Sequence, residues 1–223
     1  MIGVQMSDLS KERRGIYEDP AEIDPNLWSE LLSKDVKEVC AQASVRYDQV
    51  QGCYKIPFLN QTYGCYPEAR VIECLENDGP KRLSFQFYLV LLTYLLRAQL
   101  IGLTGRMVTG NEIKGGDFFF RGPHALFTRP LEKRFGHDGQ TFLEAGLRLG
   151  GGETDFGDVS FRLWPLPKIP LGYILWLGDE EFPARVVVTF DGSVEQQLPL
   201  DVIWALVNQV GGALLREAKS ISS

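Results

Sequence analysis

The 223 residues are 44% hydrophobic and 23% charged, the balance of an ordinary globular chain long enough to bury roughly 70% of the surface its unfolded form exposes. A formal net charge of −6 excludes the concentrated basic footprint of a DNA- or RNA-binding module. The longest apolar run, Phe87 to Leu96, is about half the roughly 20 residues a membrane helix needs and closes at Arg97, so it marks a buried core helix and no membrane partner is expected.

Residues 1–20 are polar, lack a sustained period and are expected to be loosely ordered; a single domain is expected over 21–223. The basic cluster Lys11-Glu12-Arg13-Arg14 is interrupted by a glutamate and reads as a surface turn. The first residues carry no apolar segment of a signal peptide, which sets a cytoplasmic expectation. Asp24-Pro25-Asn26 starts a helix, and Leu27, Trp28, Leu31, Leu32, Val36 and Val39 recur at helical spacing to about Ala43. Trp28 belongs to its core face.

From Val45 to Cys74 the period shortens. Cys53 to Phe58 alternates, Asn60-Gln61 turns the chain, Tyr63 to Tyr66 returns, and Ala69 to Cys74 supplies a third strand before the break at Asn77-Asp78-Gly79-Pro80. Ser84 caps a long helix expected to reach Gly102. The middle third is punctuated by Gly102, Gly105, Gly110, Gly115, Gly116 and Gly122, which leaves room only for loops and brief strands. Two short helices follow, Arg129 to Phe135 with Pro130 in its first turn, and one around Phe142 to Leu149 that stops at Gly150-Gly151-Gly152.

Val159 to Trp164 alternates, and Pro165 to Pro170 reads as an extended connector outside any central ladder. Tyr173 to Leu177 and Arg185 to Phe190 form an antiparallel hairpin around Gly178-Asp179-Glu180-Glu181. A final helix begins near Pro199 with Val202, Ile203, Leu206, Val207, Val210 and Leu214 on one face. Strands grouped in antiparallel segments, around a buried central helix and a C-terminal helix, define an α+β fold.

The richest candidate site is Lys114-Gly115-Gly116-Asp117-Phe118-Phe119-Phe120-Arg121-Gly122-Pro123-His124. A Gly-Gly pair lets the backbone approach another surface, the Phe run offers an apolar wall, and His124 behind Gly-Pro is held in a restricted loop. A neutral imidazole can ligate a metal or haem iron, or move a proton near neutral pH. A hydrogen-bonded loop histidine is the alternative. His137, in Phe135-Gly136-His137-Asp138-Gly139, reads as an exposed turn between helices.

The acidic candidates are Glu153, Asp155 and Asp158 in one glycine-rich loop and Asp179, Glu180 and Glu181 in another. Such carboxylates could hold a divalent cation, yet turns select Asp and Gly for backbone reasons alone. Cys40, Cys53, Cys65 and Cys74 include no Cys-x-x-Cys pair, so free thiols are expected; a hairpin turning at Leu59 would set Cys53 opposite Cys65. No Gly-x-Ser-x-Gly or phosphate-loop motif occurs.

Gly115-Gly116-x-Phe118-Phe119-x-Gly122-Pro123-His124, Gly157-Asp158, Leu166-Pro167-x-Ile169-Pro170-Leu171, Leu175-Trp176-x-Gly178-Asp179-Glu180-Glu181-Phe182-Pro183-Ala184 and Phe190-Asp191 together resemble the prokaryotic domain-of-unknown-function family DUF3786. The resemblance runs from the first helix to the last and brings no established activity. It implies a setting in anaerobic bacteria and archaea, where some members carry an added cysteine-rich iron-sulfur domain. A redox role here would therefore need a separate iron-sulfur partner protein.

That resemblance and the His124 segment lead to an accessory protein that binds a small-molecule cofactor, a haem or corrinoid. His124 would be its axial ligand, with Phe118, Phe119, Phe120, Gly115, Gly116 and Arg121 around it. The alternatives are a metal-dependent enzyme using Asp155, Asp158, Asp179 and Glu180, and a ligand-free interaction module or homo-oligomer pairing through Val186-Val187-Val188 at a sheet edge.

Overall fold

The computed structural model describes residues 20–76 and 82–221; the expectations for the N-terminal segment, its basic cluster and the Asn77-Asp78-Gly79-Pro80 break lie outside the described residues. Where the periodicity predicts one helix to Ala43, the chain forms two, α1 (Pro25–Ser33) and α2 (Val36–Ala43). Asp35 explains the division. Its side chain accepts a hydrogen bond from the Glu38 N–H while Lys34 is extended, so it caps a new helix just as Asp24 caps the first.

Four strands follow as an antiparallel meander: β1 (Arg46–Asp48), β2 (Cys53–Phe58), β3 (Gln61–Tyr66) and β4 (Val71–Cys74). The fourth begins two residues later than expected, after the turn at Arg70 with its φ of 55°. Leu59 and Asn60 together make the β2–β3 turn, so Tyr54 is opposite Cys65. Cys53 then lies on the other face of the sheet, and the predicted Cys53–Cys65 juxtaposition does not form. All four cysteines are free, and burial pushes the Cys65 thiol up, leaving it a small hydrophobe.

Helix α3 (Phe85–Arg97) starts where Ser84 accepts from the Phe87 N–H, and it ends at Arg97, short of the expected Gly102, because Ala98 turns extended. It is buried on nearly every side. Phe87 packs its ring against Phe58 and Tyr63, the Tyr94 hydroxyl donates to the Ala43 carbonyl at 2.7 Å, and Arg97 meets Glu30 of α1 at 3.1 Å.

The second sheet contains β5 (Met107–Thr109), β6 (Gly152–Thr154), β7 (Val159–Leu166), β8 (Ile169–Trp176) and β9 (Arg185–Asp191), in the order β5-β9-β8-β7-β6. The proline-rich stretch expected as a connector is the closed end of the β7–β8 hairpin, with Leu166 opposite Ile169. The ladder shifts register between Leu163 and Leu166, and this irregularity accommodates Pro165 and Pro170 inside the strands. Strand β9 is not the sheet edge expected for Val186-Val187-Val188. It lies between β8 and β5, although β5 reaches only Thr189 to Asp191 and leaves the outer side of Arg185 to Val188 without a strand partner.

The remaining helices are α4 (Gly116–Phe119), α5 (Arg129–Phe135), α6 (Gly139–Arg148), α7 (Val194–Gln197) and α8 (Leu200–Ile221). Helices α6 and α8 pack together, and α6 covers β7 on one face of the second sheet, where the Phe161 ring stacks on Tyr173 and meets Phe142 at a tilt. Helix α8 also packs along α3, so one hydrophobic core joins both sheets and the fold is α+β. Among the described residues no helix is long and apolar enough to cross a membrane.

Within this core the Tyr173 hydroxyl is buried without a hydrogen-bond partner. Tyr173→Phe is therefore expected to raise stability by about 1 kcal/mol, because it removes an unsatisfied polar group and keeps the ring stack. Urea denaturation of the two proteins reads the difference, and a less stable variant would show that the hydroxyl has an acceptor.

Candidate functional site

The site segment begins at the end of β5. Thr109 and Glu112 form a reciprocal cap, in which the Glu112 carboxylate accepts from the Thr109 N–H at 2.8 Å and from its hydroxyl at 3.0 Å. These bonds, the backbone one foremost, hold the Glu112 carboxyl below the usual range. The Lys114 N–H donates to Glu195 of α7, which ties the loop to the C-terminal part of the fold.

The Gly-Gly pair then has two separate backbone tasks. Gly115 takes a left-handed φ of 76° at the start of α4, and Gly116 passes so close to the Gly110 carbonyl that a Cβ would overlap its oxygen. The three phenylalanines consequently diverge. Phe118 points outward at 83% exposure, Phe119 stacks on His124 at 4.7 Å between ring centroids, and Phe120 turns inward over Gly110 and Gly116. They do not form one wall around the histidine.

His124 lies in a short 3-10 turn, Gly122–His124, whose Gly122 has a φ of 54°. Its ring is exposed, with the Phe119 face on one side and the edge of Trp204 from α8 at 5.5 Å on another. The Trp204 indole N–H donates to the Ala125 carbonyl at 3.2 Å, fixing the turn against α8. Trp204 has no motif around it, and only the tertiary structure brings it to His124. Arg121 is exposed beside this turn.

Gly122 and Ala125, on either side of His124, line a groove of about 810 Å³ that runs along the open side of β9. Phe120, Leu126 and Phe127 form its apolar wall, and Arg129 and Arg185 supply exposed guanidinium groups at its border. The Glu132 carboxylate, also in the groove, accepts from the Val186 N–H at 3.0 Å and so satisfies one backbone donor that β5 is too short to reach. The volume falls within the roughly 300 to 1,000 Å³ of small-molecule sites.

The acidic candidates lie around the β6–β7 and β8–β9 turns. Asp158 accepts from the Leu177 N–H at 2.8 Å, and Asp179 accepts from the Glu181 and Phe182 N–H groups at 2.8 and 2.7 Å. Those backbone donors hold the Asp179 carboxyl below its ordinary value. Both aspartates thus organise turns, while Glu153, Asp155, Glu180 and Glu181 face solvent. Among the described residues no group of three His, Cys, Asp or Glu side chains is placed to share a metal ion. His137 is exposed in the turn between α5 and α6, beside Gly178.

The chain is thus an α+β scaffold with a ligand-sized groove, bordered by arginines, along a partly open strand. The chain belongs to the domain of unknown function family DUF3786, whose sequence profile matches residues 35–211. Neither a curated protein nor a solved structure matches it significantly.

Proposed function

We propose that this protein is a cofactor-binding accessory protein, and that its groove beside His124 takes a tetrapyrrole, a haem or a corrinoid. The observation that carries the reading is the groove itself, which the His124 turn and the phenylalanine segment help to build. Phe120 and Phe127 offer apolar surface to a macrocycle, Arg129 and Arg185 offer partners for the carboxylates of a haem, and His124, on the turn between the lining residues Gly122 and Ala125, offers an imidazole for the metal. Any electron supplied to such a cofactor would come from a separate iron-sulfur protein, as the family setting implies, in an anaerobic cytoplasm.

Anaerobic titration of the purified protein with hemin and with cobalamin tests this. One of the two is expected to give a saturable absorbance change at one equivalent per chain, and His124→Ala is expected to abolish its axial-ligand signature. Because His124 is exposed, its replacement leaves the core intact. No spectral change with either compound would rule the reading out.

A further inference from the structure

A different feature lies on the face of the second sheet turned away from α6 and α8. The register places Gly152, Arg162, Gly172 and Thr189 in one row across four strands, so Arg162 has a glycine as cross-strand neighbour on each side. Its side chain is half-buried and its Nε is fully buried without a hydrogen-bond partner. Among the described residues no carboxylate lies within ion-pair distance of it. Such a group is costly to leave unmatched, since a guanidinium has only donors and each buried donor needs an acceptor.

Beside it is a cavity of about 190 Å³. Met107, Phe156 and Ile174 give it an apolar surface, and Thr189 places a hydroxyl over the bare Gly172 backbone. Gly172 cannot carry a side chain there, because a Cβ would collide with that hydroxyl oxygen. Phe156 is 57% exposed, so an aromatic ring stands open at the cavity's border.

We infer that this cavity is a binding site for a small organic carboxylate: the carboxylate pairs with the Arg162 guanidinium, and a short apolar tail rests against Met107, Phe156 and Ile174. Among the described residues the half-buried guanidinium has no ion-pair partner, and the planar fork of Arg suits a carboxylate better than a point charge would. The site is separate from the His124 groove and does not depend on the function proposed for it.

Calorimetric titration with sodium benzoate, benzamide and inorganic phosphate provides the test. Benzoate is expected to bind one site per chain, with benzamide and phosphate each at least about tenfold weaker, since one lacks the charge and the other the tail. Arg162→Gln should weaken benzoate by about tenfold or more, and Arg162→Lys should fall between. Benzamide or phosphate matching benzoate, an R162Q variant binding as well as the wild type, or no benzoate binding at all would each overturn the proposal. Should R162Q fail to fold, the benzoate and benzamide comparison on the wild type still decides.

Discussion

Asp191→Ala is expected to destabilise the protein by about 3 kcal/mol or more, because it removes the acceptor of a buried network. Asp191 ends β9 at 2% exposure and accepts five hydrogen bonds: from the N–H and hydroxyl of Thr104, the Gly105 N–H, and the N–H and hydroxyl of Ser193. These bonds fix the entry to β5 and the start of α7 on one carboxylate. Asp191→Asn should lose less, since its carbonyl oxygen can still accept while its amide cannot.

The same network gives a pH dependence with a definite sign. Burial by itself would raise the Asp191 pKa, but the bonds from Ser193 and Thr104 outweigh it and lower the value from 3.8 to about 2. A carboxyl with a depressed folded-state pKa adds stability that is fully present above its unfolded value and is lost as pH falls toward the folded one. Its share, about 2 kcal/mol, should therefore be intact at neutral pH and decline between about pH 4 and pH 2. Urea midpoints for wild type and Asp191→Ala across this range should converge on acidification. A gap independent of pH would show that the carboxylate charge is not what holds the network.

Gly116→Ala should cost about 2 to 4 kcal/mol and reshape the His124 segment. The new methyl would overlap the Gly110 carbonyl oxygen, and Phe120 lies 3.1 Å from the same point. Backbone cannot yield as a side-chain tip does, so α4 must shift away from Gly110, moving Phe120 out of the groove. Thermal denaturation reads the stability loss, and hemin or cobalamin titration of the variant reads the groove. A variant as stable as wild type would mean that the Gly116–Gly110 approach is looser than described.

Much of this fold is legible in the residues because local chemistry and tertiary packing agree. Ser84 before an apolar run, Pro130 in the first turn of α5, and the alternation in β2 and β9 each satisfy backbone groups and bury one face at once. Disagreements fall where one signal hides another. The helical spacing runs unbroken through Lys34 and Asp35, so the cap within it is masked, and the prolines at 165 and 170 conceal a hairpin that a ladder irregularity makes tolerable.

The candidate site divides along the same line. The sequence by itself determined which segment is unusual, through its Gly-Gly pair, phenylalanine run and histidine, and it determined the α+β class through its periodicities. What only the tertiary structure decided is what those residues face. Trp204 reaches His124 from 80 residues away, Thr104 meets Asp191 across 87 residues, and Arg162 stands between two glycines of neighbouring strands. Register and helix packing set these meetings, and both are outcomes of burying the whole core, which no local stretch of the chain encodes.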